Sequence, residues 1–331
     1  MGILGDVMKL RDKRQTRYAY DERLKPPTGI GKLDFQNKLI KDMADRFLGM
    51  AVLRAERFIT PEDVSMTKVK VTMRDSSQIS CYVLEPSNCQ EDEVLPAIFY
   101  CHGGGFLFPV QPLMLQNSVY YVKKLRCRVF MPDYRLSWQY PFPVPFYDCL
   151  DTLRYVVDNA YQLGIDRNDM LIYGESAGGC LAAGITSFLH DNVQGFSFKG
   201  MMLIYPVTDN TMDYKSMEEY SEGAWSTKNT HQMWEMYLKN GDGGMLKYAA
   251  PANNDYFTHF PPSYVEPQEM DCLRDEGIYY ASLLKRAGVD VELNVIKGSY
   301  HGFDDDYRNP FVINVLRHRC IVMKKMLGGR L

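Results

Sequence analysis

The five residues GESAG, Gly174–Gly178, place one serine between two glycines, directly after the apolar run DMLIY and before a helix-like stretch, CLAAGITSFLH. Between a strand and a helix this spacing mounts Ser176 on a sharp turn, with its hydroxyl at the end of a sheet and helical N–H groups beside it. Such a turn serves nucleophilic attack on a carbonyl. The same letters also suit an ordinary tight turn, so the rest of the machinery must be sought elsewhere in the chain. A tetrahedral adduct on Ser176 would carry a negative oxygen, and HGGGF at His102–Phe106 offers donors for it. Three successive glycines leave the N–H groups of Gly103, Gly104 and Gly105 unshielded, and two of these with the Ala177 N–H would form an oxyanion hole. The loop lacks the GxxxxGK or GxGxxG spacing of a phosphate cradle. His102 is expected to orient this loop through a hydrogen bond rather than to act as a base.

A serine hydroxyl needs a base, and the base an orienting acid. Among six histidines, His301 in KGSYHGF stands out because it follows the last strand candidate, at the sheet edge that displays Ser176. His190 and His318 fall in amphipathic helices, and His231 and His259 in or near an insertion that carries no strand signal. For the acid, Asp271 in DCLRDEG follows the preceding strand candidate, giving the chain order Ser, Asp, His of an α/β-hydrolase. Asp275 and Glu276 read as companions of a helix N-terminus. Asp304–Asp306 read as a solvated acidic turn.

The elements that must position these groups alternate. PAIFYC, RVFMPDY, DMLIYGES, KGMMLIYP, PPSYVEP and VDVELNVI are near-continuous apolar strands, and helical periodicity lies between them, which predicts a largely parallel sheet covered on both faces. Ahead of them, KVKVTMR and QISCYVLEP around DSSQ predict an antiparallel hairpin. Residues 1–60 read as a helix-rich segment, with Leu33, Ile40, Met43, Phe47 and Leu48 on one stripe and TPED at Thr60–Asp63 as a helix-start or turn signal. Residues 61–207 and 257–331 read as the two parts of an α/β core. Residues 208–256, rich in Tyr, Met and Trp, read as a helical insertion that covers the strand ends together with the N-terminal segment.

At 331 residues, with 46% hydrophobic and 24% charged residues and a net charge of −3, the composition is that of a soluble globular enzyme-sized chain with no basic stripe for nucleic acid. The cluster Lys9–Arg17 contains an acid and reads as a solvated face. Eight scattered cysteines form no CxxC or Cys/His cluster, so neither a zinc site nor a disulfide framework is expected. The N-terminal MGILGDVMKLRDKR lacks the apolar core of a signal peptide, no run approaches a membrane span, and Asp6 stands where a myristoylation signal wants Ser or Thr. A cytoplasmic setting is the expectation.

HGGGF, DYRLSWQYPFPVPFYDCL, GESAGG, DCLRDEG and YHGF occur in that order, and together they resemble the hormone-sensitive-lipase-like esterases of the α/β-hydrolase fold. The likeness runs from Val69 to the C-terminus. It implies a carboxylic-ester hydrolase with Ser176 as nucleophile, His301 as base, Asp271 as orienting acid, an oxyanion hole from Gly103–Gly105 and Ala177, and a cap over an acyl pocket. It further implies short acyl chains on a small-molecule ester, no metal or organic cofactor, and dimerisation through the last strand. An amide, a lactone or an acetylated metabolite would use the same serine, whereas non-catalytic receptors of this fold lack the histidine that is present here. Three positions depart from the family pattern. YRLSWQ replaces the usual YRLAPE, Cys272 replaces a proline, and Pro267 interrupts a strand that relatives fill with apolar residues, so that strand is expected to bend or end there.

Overall fold

A computed structural model describes residues 19–25, 29–37, 62–90 and 92–329. The predicted N-terminal helix therefore lies outside the described residues beyond Asn37, as does Thr60. Within them, Gly29–Lys32 form a 3-10 turn and Glu62–Asp63 a turn.

The chain opens with the predicted hairpin, β1 (Val64–Thr72) and β2 (Gln78–Pro86), paired antiparallel from Val64 opposite Pro86 to Thr72 opposite Gln78. Its turn closes because Ser76 takes a positive φ of 67° and the Asp75 carboxylate accepts the Ser77 N–H at 3.0 Å. Then come β3 (Leu95–Cys101), α1 (Pro112–Leu125), β4 (Arg128–Pro132), α2 (Val144–Asp158), β5 (Ile165–Glu175), α3 (Ala177–Asn192) and β6 (Gly200–Ile204). Three short helices follow, α4 (Lys215–Glu219), α5 (Thr227–Tyr237) and α6 (Leu246–Ala249). The chain ends with β7 (Ser263–Glu266), β8 (Gln268–Met270), α7 (Arg274–Arg286), β9 (Val291–Leu293), β10 (Ile296–Tyr300) and α8 (Pro310–Met326).

Eight strands make one sheet in the order β1-β2-β4-β3-β5-β6-β7-β9, parallel from β4 to β9. Alternation along each strand sends side chains to opposite faces. Ala97, Phe99 and Cys101 join one core cluster, which includes Leu153 of α2, Leu181 of α3 and Leu284 of α7. Ile98 and Tyr100 join the other, with Leu115 of α1 and Leu316 of α8. The sheet is thus buried on both faces, as its apolar strands predict. All eight cysteines are free, and all but Cys89 are buried. Among the described residues no helix is long and apolar enough to cross a membrane.

The break expected at Pro267 is present and one strand reading needs correction, and both bear on the site. PPSYVEP ends at Glu266 because Pro267 has no N–H to donate to the ladder; the chain bends and continues as β8, outside the main sheet. VDVELNVI is not one strand. After β9 the Ile296 N–H bonds to the Pro267 carbonyl at 3.0 Å, and β10 pairs with β8 in a separate two-stranded sheet.

Candidate active site

Ser176 occupies the turn between β5 and α3 with φ 53° and ψ −124°, a conformation uncommon outside glycine. The flanking glycines are there because nothing larger fits. A Cβ on Gly174 would lie 2.1 Å from the Gly178 carbonyl oxygen, and one on Gly178 would lie 2.0 Å from that of Cys101. The turn is fixed from β6, whose Ile204 carbonyl accepts the Ser176 N–H at 2.9 Å.

Ser176 Oγ lies 2.9 Å from His301 Nε2, and His301 Nδ1 lies 2.7 Å from Asp271 Oδ2. Asp271 is 1% exposed, and its other oxygen accepts the Leu273 N–H at 3.0 Å. Because an ionised carboxylate only accepts, the proton of a neutral His301 belongs on Nδ1, leaving Nε2 free to accept from the serine hydroxyl. The small sheet sets the pairing of Asp271 with His301. Met270 pairs with Tyr300, so the residues immediately following, Asp271 and His301, emerge side by side.

The HGGGF loop leaves β3 beside this row. A Cβ on Gly103 would sit 3.3 Å from Ser176 Cβ, while Gly104 and Gly105 take φ of 104° and 63°. The Gly104 carbonyl accepts from Leu107 and Phe108 N–H, each at 3.0 Å, which turns the loop back on itself. The N–H groups of Gly103, Gly104 and Gly105 have no acceptor among the described residues. The Ala177 N–H, at the first position of α3, has no intrahelical one.

His102 is buried below the loop, donating from Nδ1 to the Gly103 carbonyl at 2.8 Å and stacking on Tyr134 with centroids 4.0 Å apart. Burial lowers its pKa from 6.5 to about 4, so it is neutral in the folded chain at ordinary pH. Between these values the unfolded chain binds more protons than the folded one, so this residue's contribution to stability falls as pH drops from 6.5 to 4. Its full size is about 3 kcal/mol. Burial acts in the opposite sense on Glu175, raising its pKa from 4.5 to about 8, so total stability mixes the two. The His102 contribution is isolated by comparing denaturation of the parent with His102→Gln: their stability difference is expected to narrow as pH falls through this window. A constant difference would contradict it.

The departures from the family pattern brace the site. In YRLSWQ, the Ser137 N–H bonds to the Phe106 carbonyl at 2.8 Å and the Trp138 indole donates to the Leu107 carbonyl, holding the glycine loop. Cys272, standing where relatives carry proline, points its thiol at the Trp225 carbonyl at 3.6 Å. Trp225 is the residue the motifs did not reveal. Its ring packs 5.9 Å from the His301 ring, and a Cβ on Gly105 would lie 2.6 Å from its edge. Phe35 covers Trp225 at 5.6 Å and Phe108 lies 5.3 Å from Phe35, forming an aromatic wall over the glycine loop. His190 pairs with Asp191 and His318 with Glu292, while His231 and His259 are exposed.

Two acidic readings need correction. Asp304 is not part of a solvated turn: it is 1% exposed and ion-paired to the buried Arg319 at 2.7 Å. Glu276 does more than face a helix terminus, since it is fully buried and accepts the Thr208 N–H at 2.6 Å.

The model of the α/β-hydrolase fold family matches residues 98–305. Lipase 2 of Moraxella sp. TA144 is 29% identical over 257 residues, spanning 68% of this chain and 58% of that protein. Ethyl acetate hydrolase of Pseudomonas putida is 28% identical over 291 residues, spanning 86% and 90%. The chain thus spans only 58% to 61% of the length of two curated relatives, Lipase 2 among them. A solved bacterial heroin esterase superposes with a TM-score of 0.80 at 26% identity, covering 93% of this chain and 98% of that one.

Proposed function

This chain belongs to the hormone-sensitive-lipase-like esterase family of the α/β-hydrolase fold, and we propose that it hydrolyses small, short-acyl carboxylic esters through an acyl-enzyme on Ser176. The observation that carries the reading is the continuous row Ser176–His301–Asp271 beside unoccupied N–H donors. Ser176 attacks the ester carbonyl as His301 Nε2 takes its proton. The resulting imidazolium is stabilised by Asp271, and the negative oxygen by the Gly103–Gly105 loop and Ala177. The alcohol leaves with the proton returned by His301. Water, deprotonated by the same nitrogen, then attacks the acyl-enzyme and releases the acid. No metal or organic group enters these steps.

The short-acyl preference rests on Trp225, whose ring stands between the glycine loop and His301 and is fixed by its indole bond to Thr230 Oγ at 2.9 Å. In this reading the segment 208–256, with Phe35, is the cap, and Trp225 is the wall of its pocket nearest the reacting carbon. The relative named for ethyl acetate, whose acyl group has two carbons, accords with such a wall.

The test is a panel of p-nitrophenyl esters from acetate to palmitate. Turnover is expected to fall steeply beyond octanoate, and Trp225→Ala to raise the octanoate-to-acetate ratio of kcat/KM by roughly tenfold or more. A parent profile that peaks at long chains, or an unchanged ratio in the variant, would overturn the preference.

A further inference from the structure

Ser176 belongs to the large sheet, whereas Asp271 and His301 follow strands of the small one. Correct register of β8 with β10 fixes acid against base but leaves open what holds that pair against the nucleophile. The answer lies in a buried polar cluster under the site that the mechanism above does not use.

At its centre is Arg319 of α8, fully buried although it carries a charge. Its guanidinium forks onto Glu266, with Nη2 at 2.6 Å from Oε1 and Nε at 3.0 Å from Oε2, and Nη1 donates to Asp304 Oδ2 at 2.7 Å. An arginine withdrawn from water in this way is tolerated only because its charge is matched and its fork satisfied. Glu266 ends β7, five residues before Asp271. Asp304 lies three residues after His301. The Asn117 amide, 3.3 Å away, also donates to Asp304 Oδ2.

Tyr205 carries this frame to the nucleophile. It follows β6 directly and is held at a positive φ of 36°, a strained value for a bulky residue, by its N–H bond to the Glu266 carbonyl at 2.8 Å. In that conformation its hydroxyl donates to Asp304 Oδ1 at 2.9 Å and lies 3.5 Å from Glu175 Oε2, the carboxyl beside Ser176. The Tyr100 hydroxyl holds the same Glu175 oxygen from β3 at 2.6 Å. The Tyr205 ring packs against the His301 imidazole, with centroids 4.8 Å apart. One side chain thus touches the base and, through its hydroxyl, reaches both the loop after the base and the turn that bears the nucleophile.

We propose that Tyr205, anchored through Asp304 to the buried Arg319, is the positioning residue that holds His301 in register with Ser176. The bond from its N–H to the Glu266 carbonyl holds this strained conformation, which on this reading keeps the ring against the base and the hydroxyl on Asp304. The proposal rests on the catalytic reading above, with Ser176 as nucleophile and His301 as its base.

The test compares the parent, Tyr205→Phe and Tyr205→Leu on p-nitrophenyl acetate, with active sites counted by titration with a fluorophosphonate. Tyr205→Phe keeps the ring and loses the hydroxyl; Tyr205→Leu loses both. The expected result is a fall in kcat per titrated site of roughly tenfold for Phe and roughly a hundredfold for Leu, with KM unchanged, since small misplacements of a base are costly. A residue that merely supports the fold would lower the number of titratable sites and leave kcat per site as in the parent, and that outcome overturns the proposal. Equal losses in the two variants would overturn the role of the hydroxyl. If the catalytic reading itself were wrong, the parent would titrate no sites at Ser176 at all, so the two failures are distinguishable.

Discussion

Replacing Ser176 by alanine is expected to lower kcat on p-nitrophenyl acetate by a factor of about 10⁶, the size of loss seen when serine, base and acid act as a unit. The expectation follows from what the hydroxyl does and does not touch. Its Oγ bonds to His301 Nε2 at 2.9 Å. The turn around it is held by backbone groups: the Ser176 N–H on Ile204, and the Ser176 carbonyl receiving the N–H groups of Gly179 and Val207. Alanine preserves all three, and also the φ of 53°, which both residues tolerate equally poorly. The variant should therefore fold with the parent's thermal midpoint and bind ester with a similar affinity. What remains is acceleration by the oxyanion donors alone, about 10³-fold over water. Activity within tenfold of the parent would remove Ser176 from the reaction.

Asp271→Asn is expected to cost about 10⁴ in kcat while leaving the arrangement of side chains intact. The reason lies in the two bonds that the carboxylate accepts, from His301 Nδ1 and from the Leu273 N–H. An asparagine has one acceptor and one donor end. The fixed Leu273 N–H claims the carbonyl oxygen, so the NH₂ group must face His301. The imidazole then accepts at Nδ1 and carries its proton on Nε2, pointing at Ser176 with nothing to receive the hydroxyl proton. The loss is in kcat, and the burial of the site keeps water from substituting for the carboxylate. A loss smaller than tenfold would show that Asp271 is not the orienting acid.

How much of this was legible in the sequence follows from how local each feature is. The Ser176 turn is written in five residues, because the clashes that demand glycine at 174 and 178 come from the turn itself and the adjoining strand end. The central strands β3, β4, β6 and β7 and the end of β5 are readable because burial on both faces makes each a continuous apolar run. The positions of Asp271 and His301 follow from their places after strands, even though those strands leave the main sheet. The break at Pro267 was readable from a missing N–H. The continuation of VDVELNVI into a second sheet was not, because it depends on Ile296 finding the Pro267 carbonyl across the fold.

The buried charges were the least legible. In RHRC the residue Arg319 looks like one of several basic side chains on an amphipathic helix, and Asp304 like one of three solvated acids. Each is buried by the other, from parts of the fold that only tertiary packing brings together. Trp225 sits in a segment crowded with aromatic residues, and nothing local separates the one that meets Gly105 and His301 from those that pack elsewhere in it. Cys272 and Trp138, visible as departures from a family pattern, contact the Trp225 carbonyl and the glycine loop.

That Ser176 is a nucleophile activated by His301 is tested by incubating the 331-residue protein with a fluorophosphonate probe and mapping the adduct by peptide mass spectrometry. One adduct per chain is expected, on Ser176, formed in step with the loss of ester hydrolysis and absent from Ser176→Ala. Ester hydrolysis that persists without an adduct on Ser176, or an adduct that forms on another residue as activity is lost, would contradict it.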